Sequence, residues 1–246
     1  MKLLAQLRAI LFLSLVFGGV VLVGFWVILG SAIFHQPQWM RSMCRSYSHV
    51  IFPLFGIRVE LEGTERLDPN KRYLFVSNHQ SFLDIMTMMG WLRFPAFLAK
   101  KEIASWPLFG WSMRQLGCVF VDRKNRRDRM ETPRRVREAL GMGVDFCIFP
   151  EGTRSADGQI LPFQSGAFHI ATEGHLTLVP VALDGSGCIL NKKGFRMFPG
   201  TIRLATLPPI DLAVEECDHK ELARQVESSI STQLAAWRMG GNRALD

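Results

Sequence analysis

The sequence predicts an α/β fold in which a mixed, largely parallel sheet is flanked by helices, with an N-terminal membrane helical hairpin in front of it. Short apolar runs alternate with helical stretches from residue 57 onward, as in domains whose helices connect neighbouring strands. The runs at 73–77 and 146–149 are apolar without alternation, which is typical of strands covered on both faces. We therefore expect membrane-anchoring helices at residues 1–56 and one larger domain at residues 57–246.

The first predicted element is an apolar helix. Residues 9–34 contain no charged side chain, and crossing a bilayer needs roughly 20 apolar residues. A cleaved signal peptide fits poorly, because its apolar region spans about 7–15 residues. After Pro37 a second helical pattern begins, with apolar side chains on one face and arginines and serines on the other. This pattern is typical of an amphipathic helix lying at a membrane interface.

The charges that flank the apolar run bear on how it sits in a membrane. Lys2 and Arg8 precede the run, and Arg41 and Arg45 follow it. If the larger domain is cytosolic, a spanning helix would export Lys2 and Arg8, against the tendency of basic residues to stay inside. A hairpin that enters one leaflet avoids this, so we favour a hairpin over a single span.

The larger domain is expected to contain seven strands and five helices. The predicted strands are 58–61, 73–77, 97–99, 118–121, 146–149, 179–183 and 201–205, and the predicted helices are 82–92, 103–116, 129–142, 166–173 and 219–239. The chain carries five cysteines without any CxxC pair, which argues against a disulfide framework or a zinc site. Reduced cysteines favour a domain that faces the cytoplasm.

A first polar string, residues 78–84 (NHQSFLD), follows the strand at 73–77. Ser81 is a candidate helix N-cap and Asp84 stands at the third helical position, so Asp84 has a structural explanation as part of a capping box. The same placement lets the Asp84 carboxylate contact the His79 imidazole and fix its tautomer. No GxSxG nucleophile motif is present, so His79 would act on a substrate hydroxyl or on water.

A second polar string, residues 149–155 (FPEGTRS), follows the strand at 146–149. Gly152 permits a tight turn, Thr153 adds a hydroxyl, and the Arg154 guanidinium suits a phosphate. Glu151 is a candidate acceptor for a substrate hydroxyl. A surface turn with a Glu151–Arg154 salt bridge is the simpler explanation, and such pairs contribute little energy.

The two strings together resemble the glycerolipid acyltransferase family, and within it the bacterial 1-acyl-glycerol-3-phosphate acyltransferases. Two further blocks share this resemblance: residues 117–123 (GCVFVDR), which resemble a block ending in a phosphate-binding arginine, and residues 179–183 (VPVAL). Residues 99–102 (AKKE) and 106–110 (WPLFG) are also similar to the family. The resemblance covers about residues 57–210, and an N-terminal helical hairpin anchored in one leaflet belongs to the same family.

The resemblance implies a role for each site residue. His79 would be the general base, and Asp84 would orient it. Arg123, Arg154 and either Lys100 or Lys101 would hold the phosphate of the acceptor, while Glu151, Gly152 and Thr153 would shape its site. A lysophospholipid hydroxyl would attack the thioester of acyl-CoA or acyl-carrier protein directly, without a metal or other cofactor. The expected location is the inner membrane, with the catalytic domain facing the cytoplasm and contacting membrane lipids.

A basic segment and the net charge of +7 leave several partners open. Residues 123–137 carry eight basic side chains, which a solvated helix face would explain. The alternatives are contact with anionic lipid headgroups and docking of acyl-carrier protein or of the phosphates of CoA. Nucleic acid is not expected, because the segment lacks interleaved aromatic residues and any recognised module.

Three other functions remain open at this point. The same chemistry could act on another acceptor, such as lyso-ornithine lipid or glycerol 3-phosphate. A membrane protein that binds phospholipid without turnover should lack an intact base–acid pair, whereas this chain has both His79 and Asp84. A hydrolase that activates water through His79 is disfavoured because no nucleophile motif or metal site is evident.

Overall fold

The computed structural model describes residues 2–34, 38–106, 109–122, 124–190, 196–214 and 217–241. The helices are α1 (Lys2–Phe34), α2 (Gln38–Leu54), α3 (Phe82–Trp91), α4 (Phe109–Gln115), α5 (Arg126–Gly141), α6 (Gly166–Glu173), α7 (Ser186–Ile189) and α8 (His219–Gly241). The strands are β1 (Ile57–Glu62), β2 (Leu74–Ser77), β3 (Ala96–Lys100), β4 (Val119–Val121), β5 (Phe146–Ile148), β6 (Thr177–Asp184), β7 (Gly200–Thr206) and β8 (Ile210–Asp211).

The strands form one mixed sheet in the order β1-β7-β6-β2-β5-β3-β4, with β8 beside β6. The neighbours β6, β2, β5, β3 and β4 are mutually parallel, β1 is parallel to β7, and only the β6–β7 and β6–β8 pairs are antiparallel. The predicted mixed, largely parallel sheet is therefore confirmed. The carboxyl ends of β2, β5, β3 and β4 share one edge, where functional residues of such sheets gather.

Both faces of the sheet are covered, as the apolar run of β2 predicts. Leu74 and Val76 pack in a cluster with buried residues of α5, α6 and α8, including Val136, Phe168 and Ile230. Tyr73 and Phe75 face the opposite cluster, which contains buried residues of α1, α2 and α3: Phe12, Phe52 and Leu83. Alternate residues of a strand point to opposite faces, so a strand with two covered faces must be apolar throughout.

Helix α1 docks against the larger domain along one stripe. Ala5, Ala9, Phe12 and Val16 are buried at helical spacing, whereas the side chains on its outer face are exposed: Leu3, Leu4, Leu7, Ile10, Leu11 and Leu15. The segment Lys2–Gly19 is long and apolar enough to cross a membrane by length and composition. The two N-terminal helices are joined where the Tyr47 hydroxyl donates to the Leu15 carbonyl at 2.7 Å.

The predicted single helix at 103–116 is wrong. The chain forms a 3-10 turn at Lys101–Ser105 and then α4 at Phe109–Gln115. Pro107 disfavours helical geometry at Trp106, which takes an extended ψ of 123°. Gly110 packs so closely on the turn that an added Cβ would lie 2.4 Å from the Ala104 carbonyl oxygen.

Other differences are smaller. Helix α5 begins before the predicted residue 129, because the Asn125 side chain caps it by accepting from the backbone N–H groups of Arg127 and Asp128. The short elements β8, α7 and the 3-10 turn Thr64–Arg66 are not predicted from the sequence.

Candidate active site

His79 and Asp84 meet at the end of β2. The Asp84 Oδ2 atom lies 2.8 Å from His79 Nδ1 and accepts from the backbone N–H groups of Gln80 at 2.7 Å and Ser81 at 2.8 Å. Asp84 is fully buried, and Ser81 completes a capping box with it at the start of α3. The capping and orienting explanations of Asp84 thus hold together. Because a carboxylate only accepts, Nδ1 carries a proton, and in the neutral imidazole Nε2 is therefore the nitrogen with the lone pair.

The residue before the histidine is fixed by its own side chain. The Asn78 Nδ2 group donates to the Leu183 carbonyl at 2.8 Å, and the Leu183 N–H donates to Asn78 Oδ1 at 2.9 Å. These two bonds continue the pairing of β2 with β6 beyond Ser77. They hold the backbone at the point where the chain leaves the sheet and enters the turn that carries His79.

The second string contacts the backbone of His79 on both sides. The His79 N–H donates to Glu151 Oε1 at 2.6 Å, and the His79 carbonyl accepts from the Ser155 N–H at 2.8 Å. The Phe149 ring stacks on the imidazole with centroids 4.1 Å apart. The two strings are therefore parts of one site, and the second string positions His79.

Glu151 has a different position from the one predicted. Its Oε1 accepts from His79 N–H and its Oε2 accepts from Leu161 N–H at 3.1 Å, so both carboxylate oxygens are used within the protein. The side chain is buried and is not among the described residues that line the neighbouring cavity. Burial raises the pKa of Glu151 to about 7, against the lowering effect of the two backbone donors.

A cavity of about 1250 Å³ opens beside His79. Its lining falls into two groups. One group is apolar and comes mainly from the first four helices, including Val16, Phe17, Phe82, Met86, Met113 and Leu116. The other group comes from the strand ends, α5 and α6, and includes Lys100, Arg126, Arg129, Gly152, Thr153 and Arg154. No Asp or Glu occurs among the described lining residues, so this second part attracts anions.

The structure separates the predicted phosphate ligands. Lys100, at the end of β3, lines the cavity. Lys101 is absent from the described lining and its Nζ lies 3.8 Å from Asp122 Oδ2. Gly152 adopts a positive φ of 70° in the turn, which glycine accepts without strain. Arg123 lies outside the described residues.

Arg126 and Arg129 line the cavity but are not among the predicted site residues. The basic segment at 123–137 is the sequence signal for them. It allows several explanations, because charge alone does not show which side chains face a cavity.

The protein-family model described as "Acyltransferase" matches residues 58–184. The 1-acyl-sn-glycerol-3-phosphate acyltransferase alpha proteins of sheep and human are each 35% identical over 182 residues, 73% of this chain. The match covers 63% of the sheep protein and 64% of the human protein, so the chain spans just under two thirds of their length. The 1-acyl-sn-glycerol-3-phosphate acyltransferase of Limnanthes alba is 32% identical over 203 residues, covering 78% of this chain and 71% of the relative.

A solved structure also matches the fold. The crystal structure of the 1-acyl-sn-glycerophosphate (LPA) acyltransferase PlsC from Thermotoga maritima superposes with a TM-score of 0.83 at 27% identity. The superposition covers 96% of this chain and 97% of the other.

Proposed function

This chain belongs to the acyltransferase family, and from that premise we propose that it transfers an acyl chain to the sn-2 hydroxyl of lysophosphatidate, giving phosphatidate. The family inferred from the two strings is thereby confirmed. The relatives from sheep, human and Limnanthes alba carry the name of this activity. The chain is shorter than the sheep and human relatives, so the site geometry must support the assignment of activity and substrate.

One observation carries the proposal: His79, held by its 2.8 Å contact with Asp84, lies on the wall of a cavity with an apolar part and a basic part. An acyl chain fits the apolar part, and a phosphate fits the basic part. A substrate hydroxyl placed between the acyl chain and the phosphate would meet the unprotonated Nε2 of His79. This is the arrangement that base-assisted acyl transfer to a phosphorylated alcohol requires.

The reaction follows from these positions. His79 Nε2 takes the proton of the acceptor hydroxyl while the hydroxyl oxygen attacks the thioester carbonyl. Asp84 stabilises the imidazolium that forms, as a buried carboxylate does for other catalytic histidines. When the tetrahedral intermediate collapses, the carbon–sulfur bond breaks, and the departing thiolate takes the proton back from His79. The products are the ester and a free thiol, and the base is regenerated without a covalent acyl-enzyme.

The acceptor phosphate must lie close to His79. About four covalent bonds separate the sn-2 oxygen from the phosphorus, which limits their separation to about 5 Å. The next two strands beyond β2 are β5 and β3. Arg154 lies in the turn after β5, Lys100 is the last residue of β3, and both line the cavity. We assign the acceptor phosphate to these two residues, together with the Gly152–Thr153 turn.

The donor and the location belong to the same proposal. The donor is acyl-CoA or acyl-carrier protein, because the reaction needs a thioester and no other cofactor. The exposed apolar face of α1 supports attachment to a membrane, and the cationic cavity supports an anionic lipid substrate. We place the protein on the inner membrane with the larger domain facing the cytoplasm.

The basic lining also bears on the other acceptors. A lyso-ornithine headgroup carries both an ammonium and a carboxylate group and has no net charge, so the cationic side chains of Lys100, Arg126, Arg129 and Arg154 should attract it less than a phosphate. Glycerol 3-phosphate has the required phosphate but no chain to fill the apolar part of the cavity. A protein that only binds phospholipid would not need a base oriented by a buried carboxylate.

The test is acyl transfer by the purified full chain in detergent. Palmitoyl-CoA and palmitoyl-carrier protein are supplied with lysophosphatidate, lyso-ornithine lipid or glycerol 3-phosphate, and the products are identified by lipid mass spectrometry. We expect phosphatidate as the main product. Preferred acylation of another acceptor would replace the proposed substrate, and the absence of transfer to every acceptor would refute the activity.

The His79→Ala variant is the control for the assigned base. It should lose turnover while keeping the circular dichroism spectrum and thermal transition of the parent protein. The His79 ring lies on the cavity wall, and the hydrogen bonds of the residue 79 backbone do not depend on the ring. Near-normal turnover in this variant would remove the general-base role.

A further inference from the structure

The basic part of the cavity extends beyond the place where the acceptor phosphate can lie. Building on the proposed function, we propose that Arg126 and Arg129 bind the phosphate of the phosphopantetheine arm of the acyl donor. This arm is shared by acyl-CoA and acyl-carrier protein. The site would thus recognise the donor through chemistry common to both sources.

The order of the strands sets the distance of these arginines from the base. His79 follows β2, and the neighbouring strands are β5, then β3, then β4, which leads into α5. Parallel strands lie about 4.8 Å apart, so the end of β4 is about 14 Å from the end of β2. Arg126 and Arg129 lie at the start of α5, which follows β4, and line the cavity.

This distance fits the donor and not the acceptor. The acceptor phosphorus stays within about 5 Å of the reacting oxygen. In the donor, about thirteen covalent bonds separate the thioester sulfur from the phosphorus of the pantetheine arm, which gives about 15 Å when the arm is extended. A thioester held beside His79 therefore brings its phosphate to the start of α5.

The start of α5 is held firmly against the end of β4. The Asp122 N–H donates to Asp128 Oδ2 at 2.5 Å, and the Arg135 guanidinium donates to the Phe120 carbonyl at 2.9 Å and to Asp128 Oδ1 at 2.6 Å. The backbone bond from Asp122 lowers the pKa of Asp128, so this anchor stays charged at neutral pH. The positions of Arg126 and Arg129 relative to His79 are thus set before a ligand binds.

Uncharged residues of α5 and α6 line the same cavity as His79 and these arginines. They are Met130 and Pro133 of α5 and Gly166 and Ala167 of α6. The arm contains amide and methylene groups, so apolar and backbone surfaces can contact it without opposing charge. No Asp or Glu is among the described lining residues, so no lining carboxylate repels a bound phosphate.

Helix α5 also supplies a matched control. Arg127 and Arg134 are absent from the described lining, and they pair with Glu131 at 3.4 Å and Glu138 at 2.5 Å on the helix surface. The variant with Arg127→Ala and Arg134→Ala loses the same charge from the same helix as the variant with Arg126→Ala and Arg129→Ala. A general effect of charge or of helix stability would appear in both.

The experiment compares donors with and without the phosphate. The cavity-side double variant should raise the KM for palmitoyl-CoA and palmitoyl-carrier protein about tenfold, as loss of charged phosphate contacts predicts. Its KM for lysophosphatidate should stay within twofold of the parent value, as should all constants of the surface-side variant. Palmitoyl-pantetheine has no phosphate. The KM of the parent protein for this donor should therefore be as high as the KM of the cavity-side variant for the same donor. If the enzyme uses only palmitoyl-CoA or only palmitoyl-carrier protein, the phosphopantetheine arm that it binds comes from that donor.

Three results would overturn the proposal: an unchanged donor KM in the cavity-side variant, an equal effect in both double variants, or an effect confined to lysophosphatidate. Titration calorimetry with 4′-phosphopantetheine and with pantetheine provides a readout that does not depend on turnover. The parent protein should bind the phosphorylated compound about tenfold more tightly, and the cavity-side variant should lose this preference. Equal binding of both compounds would refute the site even if the enzyme is active, while absence of acyl transfer with intact binding would refute only the proposed activity.

Discussion

At the scale of single residues, each polar group of His79 except Nε2 has a defined partner. The ring Nδ1 contacts Asp84, the backbone N–H donates to Glu151, and the carbonyl accepts from Ser155. A side chain that is fixed at three points loses little freedom when a ligand binds, so less of the binding energy is used to order it. In the proposed reaction Nε2 is the nitrogen that takes the proton.

Replacing Asp84 by Asn tests the orienting role. The amide can still accept from the backbone N–H groups of Gln80 and Ser81, so the start of α3 should persist. It cannot stabilise an imidazolium as a carboxylate does, and we expect kcat to fall about 10³- to 10⁴-fold. Steady-state kinetics together with thermal unfolding would check this. A fall in the unfolding temperature that accounts for the lost activity would mean that Asp84 serves the fold alone.

The raised pKa of Glu151 predicts a pH-dependent stability. The carboxyl titrates near pH 7 in the folded protein and near 4.3 in an unfolded chain. Between these values the folded state binds more protons, so this group's contribution to the free energy of unfolding falls as pH rises, by about 4 kcal/mol in total. The Glu151→Gln variant lacks this contribution.

The measurement is the difference in unfolding temperature between the parent protein and the Glu151→Gln variant. As pH rises from 5 to 7.5, the unfolding temperature of the parent protein should fall relative to that of the Glu151→Gln variant. A difference that stays constant across that range would show that Glu151 does not titrate there.

Lys100 and Lys101 form a natural pair of test and control. Lys100 lines the cavity, whereas Lys101 is paired with Asp122 and is 65% exposed. We expect Lys100→Ala to raise the KM for lysophosphatidate about tenfold with little change in kcat, and Lys101→Ala to leave both constants near their parent values. The reverse pattern, measured by steady-state kinetics, would assign the phosphate to the other lysine.

The position of Asp84 could be predicted from the sequence because only four residues separate it from His79. The role of Glu151 could not. Its contact with His79 joins residues 72 positions apart and depends on how β5 lies beside β2, which no local pattern contains. The choice between Lys100 and Lys101 was open for a similar reason, since it depends on which side chain faces the cavity at the end of β3.

At the scale of elements, the central strands were predictable because their burial on both faces leaves an uninterrupted apolar run. The break between residues 103 and 116 was not predicted, although Pro107 was a signal for it. The early start of α5 also had a local signal, since Asn125 precedes an acidic residue by three positions. Strand β8 has two residues, which is too short for a periodic pattern.

Helix α1 offers a comparison between its two faces. Phe12 is fully buried and packs edge-on against Phe55, with ring centroids 5.1 Å apart. We expect Phe12→Ala to lower the free energy of unfolding in detergent by about 3–5 kcal/mol. Leu11 is 56% exposed, and Leu11→Ala should change stability by no more than about 0.5 kcal/mol.

Thermal unfolding of the Phe12→Ala and Leu11→Ala variants in detergent measures the two changes in stability. Similar small shifts in the two proteins would mean that α1 is not docked on the larger domain in solution.

At the scale of the whole molecule, the first turns of α1 are hydrogen-bonded to the rest of the chain. The Met197 N–H donates to the Ala5 carbonyl at 3.0 Å, and the Arg8 guanidinium donates to the Phe55 carbonyl. A helix that crossed the bilayer from its first residues could not make these contacts with a domain on the other side. The hairpin in one leaflet stays our prediction, and these contacts are the reason to test it.

We therefore predict that a tag at residue 1 is accessible from the same side of the membrane as the C-terminus. Protease digestion of tagged protein in sealed inside-out vesicles, with right-side-out vesicles as the control, would measure this. Protection of the N-terminal tag under conditions that remove a C-terminal tag would establish a single span.

The bonds from Glu151 and Ser155 to the backbone of His79 have a consequence for protein engineering. A chimera that takes residues 78–84 from one relative and residues 149–155 from another would combine halves shaped for different partners. The smallest unit that can be exchanged between relatives is therefore the pair of segments, with the ends of β2 and β5 that set their spacing. Directed evolution of either segment alone should encounter compensating changes in the other.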